Sequence, residues 1–428
     1  MDPASTRSTS LYRTDVGRKD WMDLVKGVAI IMVVVYHTML FLRAIDYDAP
    51  GMGRAKIILE TFPMPAFFVI AGMFQLRVPQ WSFADTWKRR LSSYLYLYVL
   101  WSVLRFVFYL IVPNVRAADG AGATASDPLA LALILVWPSS SYWFIYALFV
   151  FTIAVWLMRR LPAWSQVAIT GVISVLFSSG ILDVHNVGWN RMGEYLVFFT
   201  AGVLFSRPIG DAVHKAKPWQ IVAFLGVFAG VSALLAFSSL AGAIPGVVLI
   251  AQVASIAFAY TAAVHLTRLR ALSWVNYIGV RSLNVYLLHV FVIAGLAAIV
   301  LAIPALRIIP SRGWILLAVI TTLVIVISLL LYRVLSRVTW LFVSPIRHRP
   351  GGAQRRGAAA RRGRRAGKGP RDASGPASAD PDAAVGLDDP PAGASAGASD
   401  AAARATDRQP PAAPAIETGA ARAAEGSD

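Results

Sequence analysis

Asp20-Trp21-Met22-Asp23-Leu24-Val25-Lys26-Gly27-Val28-Ala29-Ile30-Ile31-Met32-Val33-Val34-Val35-Tyr36-His37-Thr38 is the stretch that decides the fold. It reads as one long apolar helix with its few polar residues on a stripe. At roughly 100° per residue, Lys26 and His37 face the same way to within about 20°, and the helical rise sets them roughly 16 Å apart along the axis. Asp23 stands three residues before Lys26 and is placed to pair with it. An imidazole in a membrane helix is costly unless it lines a cavity or does chemistry.

Outward from this helix, the same pattern recurs. The 428 residues are 57% hydrophobic and only 15% charged, with a mean hydropathy of +0.59. Apolar runs of about 20 residues recur along the chain, which excludes an ordinary soluble domain and predicts an all-α, polytopic membrane protein. About ten spans are expected, near 24–43, 57–76, 91–112, 141–158, 164–180, 193–206, 219–240, 244–266, 282–303 and 314–342. The run Leu129–Trp137 is too short to cross and reads as a re-entrant or interfacial piece. The first run lacks a small-residue cleavage site, so it reads as an uncleaved span. No internal repeat is visible.

Three regions follow: an N-terminal segment (1–20), a membrane domain (21–345) and a tail (346–428). From Arg347 to Arg371 the tail has ten basic residues and no acidic one, and beyond Asp372 it is rich in Ala, Gly, Pro, Ser and Asp. That composition predicts disorder. The basic block is either an orientation signal or a patch for anionic membrane lipids. The net charge of +17 then belongs to membrane topology and not to nucleic-acid binding. Arg18 and Lys19, Lys88-Arg89-Arg90, Arg159-Arg160, Lys215 with Lys217, and Arg268 with Arg270 alternate with loops poorer in basic residues. Both termini are therefore expected in the cytoplasm of a cell-membrane protein. Cysteine is absent, which excludes disulfides, thiolate catalysis and cysteine metal sites.

The site candidates come from polar residues set in apolar surroundings. Lys26 is expected near the cytoplasmic surface, and His37 in the outer half of the membrane. This suits a long donor with an anionic head and a reactive end, and coenzyme A has that shape. Lys26 would hold phosphate as a point charge, with Asp23 beside it. His37 would take the proton of an acceptor hydroxyl, or would briefly carry the acyl group itself. Arg89 and Arg90 open the third span, either as part of the positive-inside cluster or as a clamp on the donor's phosphates. Glu60 and Glu194 each either orient His37, hold a sugar hydroxyl, or are helix-end acids at an interface. Arg191, in the same short segment as Glu194, is expected to bind the acceptor. Tyr142 and Trp143 either stack on a sugar ring or belong to an interfacial aromatic belt. His289 is either a wall of the donor tunnel or a packed histidine bonded to a neighbouring carbonyl. Asp183 and His185 are too few to make a metal site, and none is expected. Phosphate-cradling glycine loops and the serine hydrolase elbow are missing.

With these residues in view, the chain resembles acyltransferase family 3. Lys26, ten residues, then His37 is similar to the basic residue and histidine of that family's first span, with Lys standing where Arg is usual. Met64-Pro65-Ala66-Phe67-Phe68-Val69-Ile70-Ala71-Gly72 resembles its Met-Pro-x-Phe-Phe-x-x-Ser-Gly, with Ala71 at the serine and Pro63 where some members have histidine. Trp87-Lys88-Arg89-Arg90-Leu91, Tyr142-Trp143-Phe144-Ile145-Tyr146-Ala147-Leu148 and Ser282-Leu283-Asn284-Val285-Tyr286-Leu287-Leu288-His289 are similar to later elements, in family order. The resemblance implies transfer of an acyl group, acetyl in O-acetyltransferase-like members, from cytoplasmic acyl-CoA to a sugar, polysaccharide or glycolipid across the membrane. Acyl-CoA would be a co-substrate, with no cofactor permanently bound. The rival expectation is a lipid or glycan exporter that uses His37 and His289 as proton-relay groups.

Overall fold

The computed structural model describes residues 16–45, 50–116, 125–238, 240–303 and 313–345, with side chains from residue 20. All lie in the unit Met1–Gln354; the second unit, Arg355–Asp428, falls outside them. The N-terminal segment to residue 15, the side chains of Arg18 and Lys19, and the expected tail from 346 also lie outside the described residues.

The described chain is helical, with no strand among the described residues. In order, the helices are α1 (Val16–Ala44), α2 (Met52–Thr61), α3 (Pro63–Met73), α4 (Phe83–Ile111), α5 (Pro128–Ala132), α6 (Trp143–Met158), α7 (Ala163–Ser178), α8 (Val187–Leu204), α9 (Ser206–His214), α10 (Pro218–Phe237), α11 (Val247–Leu266), α12 (Ser273–Val280), α13 (Ser282–Ala302) and α14 (Gly313–Leu335). Helix α4 carries a π turn at Trp87–Leu91.

Among the described residues, seven stretches are long and apolar enough to cross a membrane, or eight if the pair α8 and α9, bent by 82°, is one span. This is fewer than the ten expected. Helices α6 and α7 are apolar but have 16 residues each. At the helical rise that is roughly 24 Å, short of a hydrocarbon core of about 30 Å. Each of the ten expected positions nevertheless carries a helix. The protein is an all-α, multi-pass membrane protein.

Helix α1 runs through the middle of the bundle and packs on α3, α11, α12, α13 and α14. Trp21, Leu24, Val25, Ala29, Ile30, Val33 and Val34 are buried along it. Between membrane helices, close approach depends on small residues, because lipid is as apolar as leucine. Helices α3 and α8 meet this way: a Cβ on Gly72 would strike the Phe199 carbonyl, and one on Gly202 the Val69 carbonyl.

Two prolines shape the approach to the site. Pro63 and Pro65 have no N–H, so the ladder is interrupted where α2 gives way to α3. Pro65 leaves the Thr61 carbonyl without its i+4 donor, and the Ser255 hydroxyl supplies one at 3.3 Å. Glu60 is thereby presented at a helix end inside the bundle. The short expected segment Leu129–Trp137 forms α5 followed by turns. Its non-helical carbonyls are satisfied by side chains: Tyr98 donates to Ile134 (3.0 Å), Tyr146 to Leu135 (2.5 Å) and Trp189 to Val136 (2.9 Å). Irregular backbone survives beside a membrane when protein covers it in this way.

Candidate active site

His37 lies in the last third of α1. Its Nδ1 is 2.9 Å from the Val33 carbonyl. A carbonyl only accepts, so Nδ1 carries the proton, and in the neutral ring the lone pair is on Nε2. His289, on α13, is fully buried and meets His37 edge to face, with ring centroids 5.0 Å apart. Its Nδ1 donates to the Tyr286 carbonyl at 2.7 Å, and its Nε2 is buried with no hydrogen-bond partner. Two basic nitrogens therefore belong to two rings in contact.

Helix α13 is locked to the start of α6 by a reciprocal pair of tyrosines. Tyr142 donates to the Leu287 carbonyl (2.9 Å), and Tyr286 donates to the Ser141 carbonyl (2.8 Å). Tyr142 is fully buried with its hydroxyl committed, so it stands behind the site, whereas Trp143 lines the cavity beside it.

That cavity is about 690 Å³ and is lined by His37 together with Tyr36, Glu60, Arg105, Trp143 and Arg191, among others. One wall is a charge network. The Tyr36 hydroxyl donates to Glu60 at 3.0 Å, and Arg191 Nη2 donates to the same Glu60 oxygen at 2.8 Å. The other Arg191 terminal nitrogen, Nη1, donates to Glu194 at 2.9 Å. Gln252 donates to the second Glu194 oxygen at 2.5 Å, and Lys56 stands 3.9 Å from Glu60. Arg191 thus ties two carboxylates together. Glu60 and Arg191 also line a second cavity of about 530 Å³, which includes Glu194 and Gln252. The network is the partition between the two spaces. Asn186, which also lines the first cavity, accepts from the Trp189 amide (2.9 Å) to start α8 and so sets Arg191 about one turn on.

The expected residues therefore separate into two groups. His37, Glu60, Trp143 and Arg191 line one cavity, with Glu194 held to it through Arg191. His289 sits against His37 and is not among the residues lining that cavity. Asp23 and Lys26 form the expected pair at 2.6 Å, but Lys26 is not among the residues lining the His37 cavity. Arg89 is exposed and Arg90 half-buried at the π turn. Arg90 donates to the Phe74 carbonyl at the end of α3 (3.0 Å), and Arg89 lies 3.8 Å from Asp85 and over the Trp81 ring. Among the cavity residues, Tyr36, Arg105, Arg116, Tyr195 and Tyr286 were not expected as site residues. The signal for Arg105 was present, as an arginine inside an apolar run.

Asp183 and His185 lie in the turn before α8. Asn190 donates to Asp183 at 2.6 Å, which holds its carboxyl below the usual range, with help from the His185 amide.

The model of acyltransferase family 3, described as an acyltransferase domain, matches residues 19–333 of this chain. No curated protein and no solved structure matches it significantly. The match spans α1 to near the end of α14 and takes in both the His37 cavity and the Lys26 pair. The chain belongs to acyltransferase family 3 and is a multi-pass membrane acyltransferase.

Proposed function

We propose that the protein transfers an acetyl group from cytoplasmic acetyl-CoA to a hydroxyl of a sugar, polysaccharide or glycolipid on the other side of the cell membrane. One observation carries this. His37, whose Nδ1 is committed to the Val33 carbonyl, lines one cavity with Glu60, Arg191 and Trp143, groups suited to sugar hydroxyls. The proton map follows. Nε2 of His37 takes the acceptor hydroxyl's proton as the oxygen attacks the thioester carbonyl. The carbon–sulfur bond breaks, and the leaving thiolate takes that proton back from the imidazolium. His289 packs against the ring and positions it. Glu60, Arg191 and, through Arg191, Glu194 hold acceptor hydroxyls, and Trp143 offers a ring face to the sugar.

The donor's anionic head is assigned to the other end of α1. Lys26, steadied by Asp23, supplies a point charge, and Arg89 and Arg90 supply guanidinium groups that match phosphate geometry. The alternation of basic loops supports placing this end, and both termini, in the cytoplasm.

The test is transfer of label from acetyl-CoA to total envelope glycans by the purified protein. Wild type should transfer, and His37→Ala, folded and inserted, should lose about 10²–10⁴-fold in rate. Equal transfer by the variant would refute the assignment. Movement of a glycan across the membrane without label transfer would point to an exporter instead.

A further inference from the structure

Arg105 is a cationic group of the cavity that the Glu60–Arg191 network does not hold. It sits on α4, lines the His37 cavity and is 7% exposed. Its Nε is buried with no hydrogen-bond partner, and no carboxylate pairs with it among the described residues. Arg191 shows the contrast. That guanidinium is held by Glu60 and Glu194, at 2.8 and 2.9 Å. The nearest compensation for Arg105 is the Tyr109 ring, 5.3 Å from its guanidinium carbon. A cation–π contact offsets only part of the cost of burying a cation without a counter-charge. The deficit marks a place where an anion from outside the chain belongs. The cavity's own carboxylate, Glu60, is already taken by Arg191 and Tyr36.

We propose that Arg105 is an anion-reading subsite for the acceptor, so that the acceptor is an acidic sugar bearing a carboxylate or phosphate near the hydroxyl to be acylated. This rests on the proposed role of the cavity as the acceptor site. Arginine suits it, since its planar fork grips carboxylate or phosphate through two parallel N–H donors. It would also make the cavity select against neutral sugars, because a neutral group would leave the cation desolvated.

The test is equilibrium binding to the full-length protein in phosphatidylcholine nanodiscs, with no acyl-CoA present. The probes are glucose, glucuronate and glucose 1-phosphate. Wild type should bind at least one of the two anions about 10- to 100-fold more tightly than glucose. The stronger of the two identifies the group that is read. Arg105→Gln should bring the anions to within about twofold of glucose, and Arg105→Lys should keep part of the preference. A wild-type protein that binds the three probes alike, or binds none, overturns the proposal whatever the variants do. So does an Arg105→Gln protein that still prefers the anions. Because acyl-CoA is left out, a wild-type protein without anion preference but with acyl transfer intact defeats this inference alone. Intact preference with no transfer defeats the acyltransfer role of His37 alone.

Discussion

The two ends of α1 solve the same problem in opposite ways. At the Lys26 end, one cation and one carboxylate three residues apart close on each other at 2.6 Å, both partly exposed. At the His37 end, the charges come from α2 and α8. They are held across helices by Arg191 and surround a cavity of about 690 Å³. The first arrangement is local and needs little from the fold. The second exists only if several helices are in register. A pair that can dissolve into water suits a ligand that arrives and leaves. A network of fixed, mutually satisfied charges suits a site that must hold its shape before the substrate comes.

The contrast fixes a ranking of variants. Arg191→Ala should have the largest effect on stability, about 3–5 kcal/mol, because it strands the buried Glu194 beside Glu60. Thermal unfolding in detergent would measure it, and a loss below about 1 kcal/mol would show that the network is not tightly held. Glu194→Gln should cost less, about 1–3 kcal/mol, since the amide keeps the shape and loses the charge facing Arg191. Tyr36→Phe removes a single donor to Glu60 and should cost about 0.5–1.5 kcal/mol. A larger loss would mean that the hydroxyl, and not Arg191, anchors the carboxylate. Lys26→Ala should barely change stability, by about 1 kcal/mol or less, since partly exposed pairs contribute little. Should it destabilise as much as Arg191→Ala, the two ends would not differ as described.

Much of this was legible in the sequence, and what was hidden has physical reasons. The helices were legible because an apolar run longer than the membrane is thick has one reading. The two 16-residue helices, α6 and α7, were placed but not measurable as short, since hydropathy does not report where a helix stops packing. His37, Glu60, Glu194 and Arg191 stood out as polar groups in apolar surroundings. Arg105 carried the same signal within the third span and was missed. The contact between His37 and His289 could not be seen, because it joins residues more than 250 positions apart through the packing of α1 on α13. Tyr142 could not be told from Trp143 either. Both are aromatics at the start of one helix, and only the fold buries one and opens the other. The shared stripe of Lys26 and His37 was sound helix geometry. It could not show that the cavity lining takes in His37 and leaves out Lys26.

The most direct test of a helix with donor binding at one end and chemistry at the other is to measure two quantities in two variants. These are the dissociation constant for acetyl-CoA and the single-turnover rate of acetyl transfer, in His37→Ala and Lys26→Ala. His37→Ala should keep the dissociation constant and lose about 10²–10⁴-fold in rate. Lys26→Ala should weaken acetyl-CoA binding and leave most of the rate at saturating donor. If His37→Ala transfers at the wild-type rate, or if both variants change only donor binding, the division of labour along α1 is wrong.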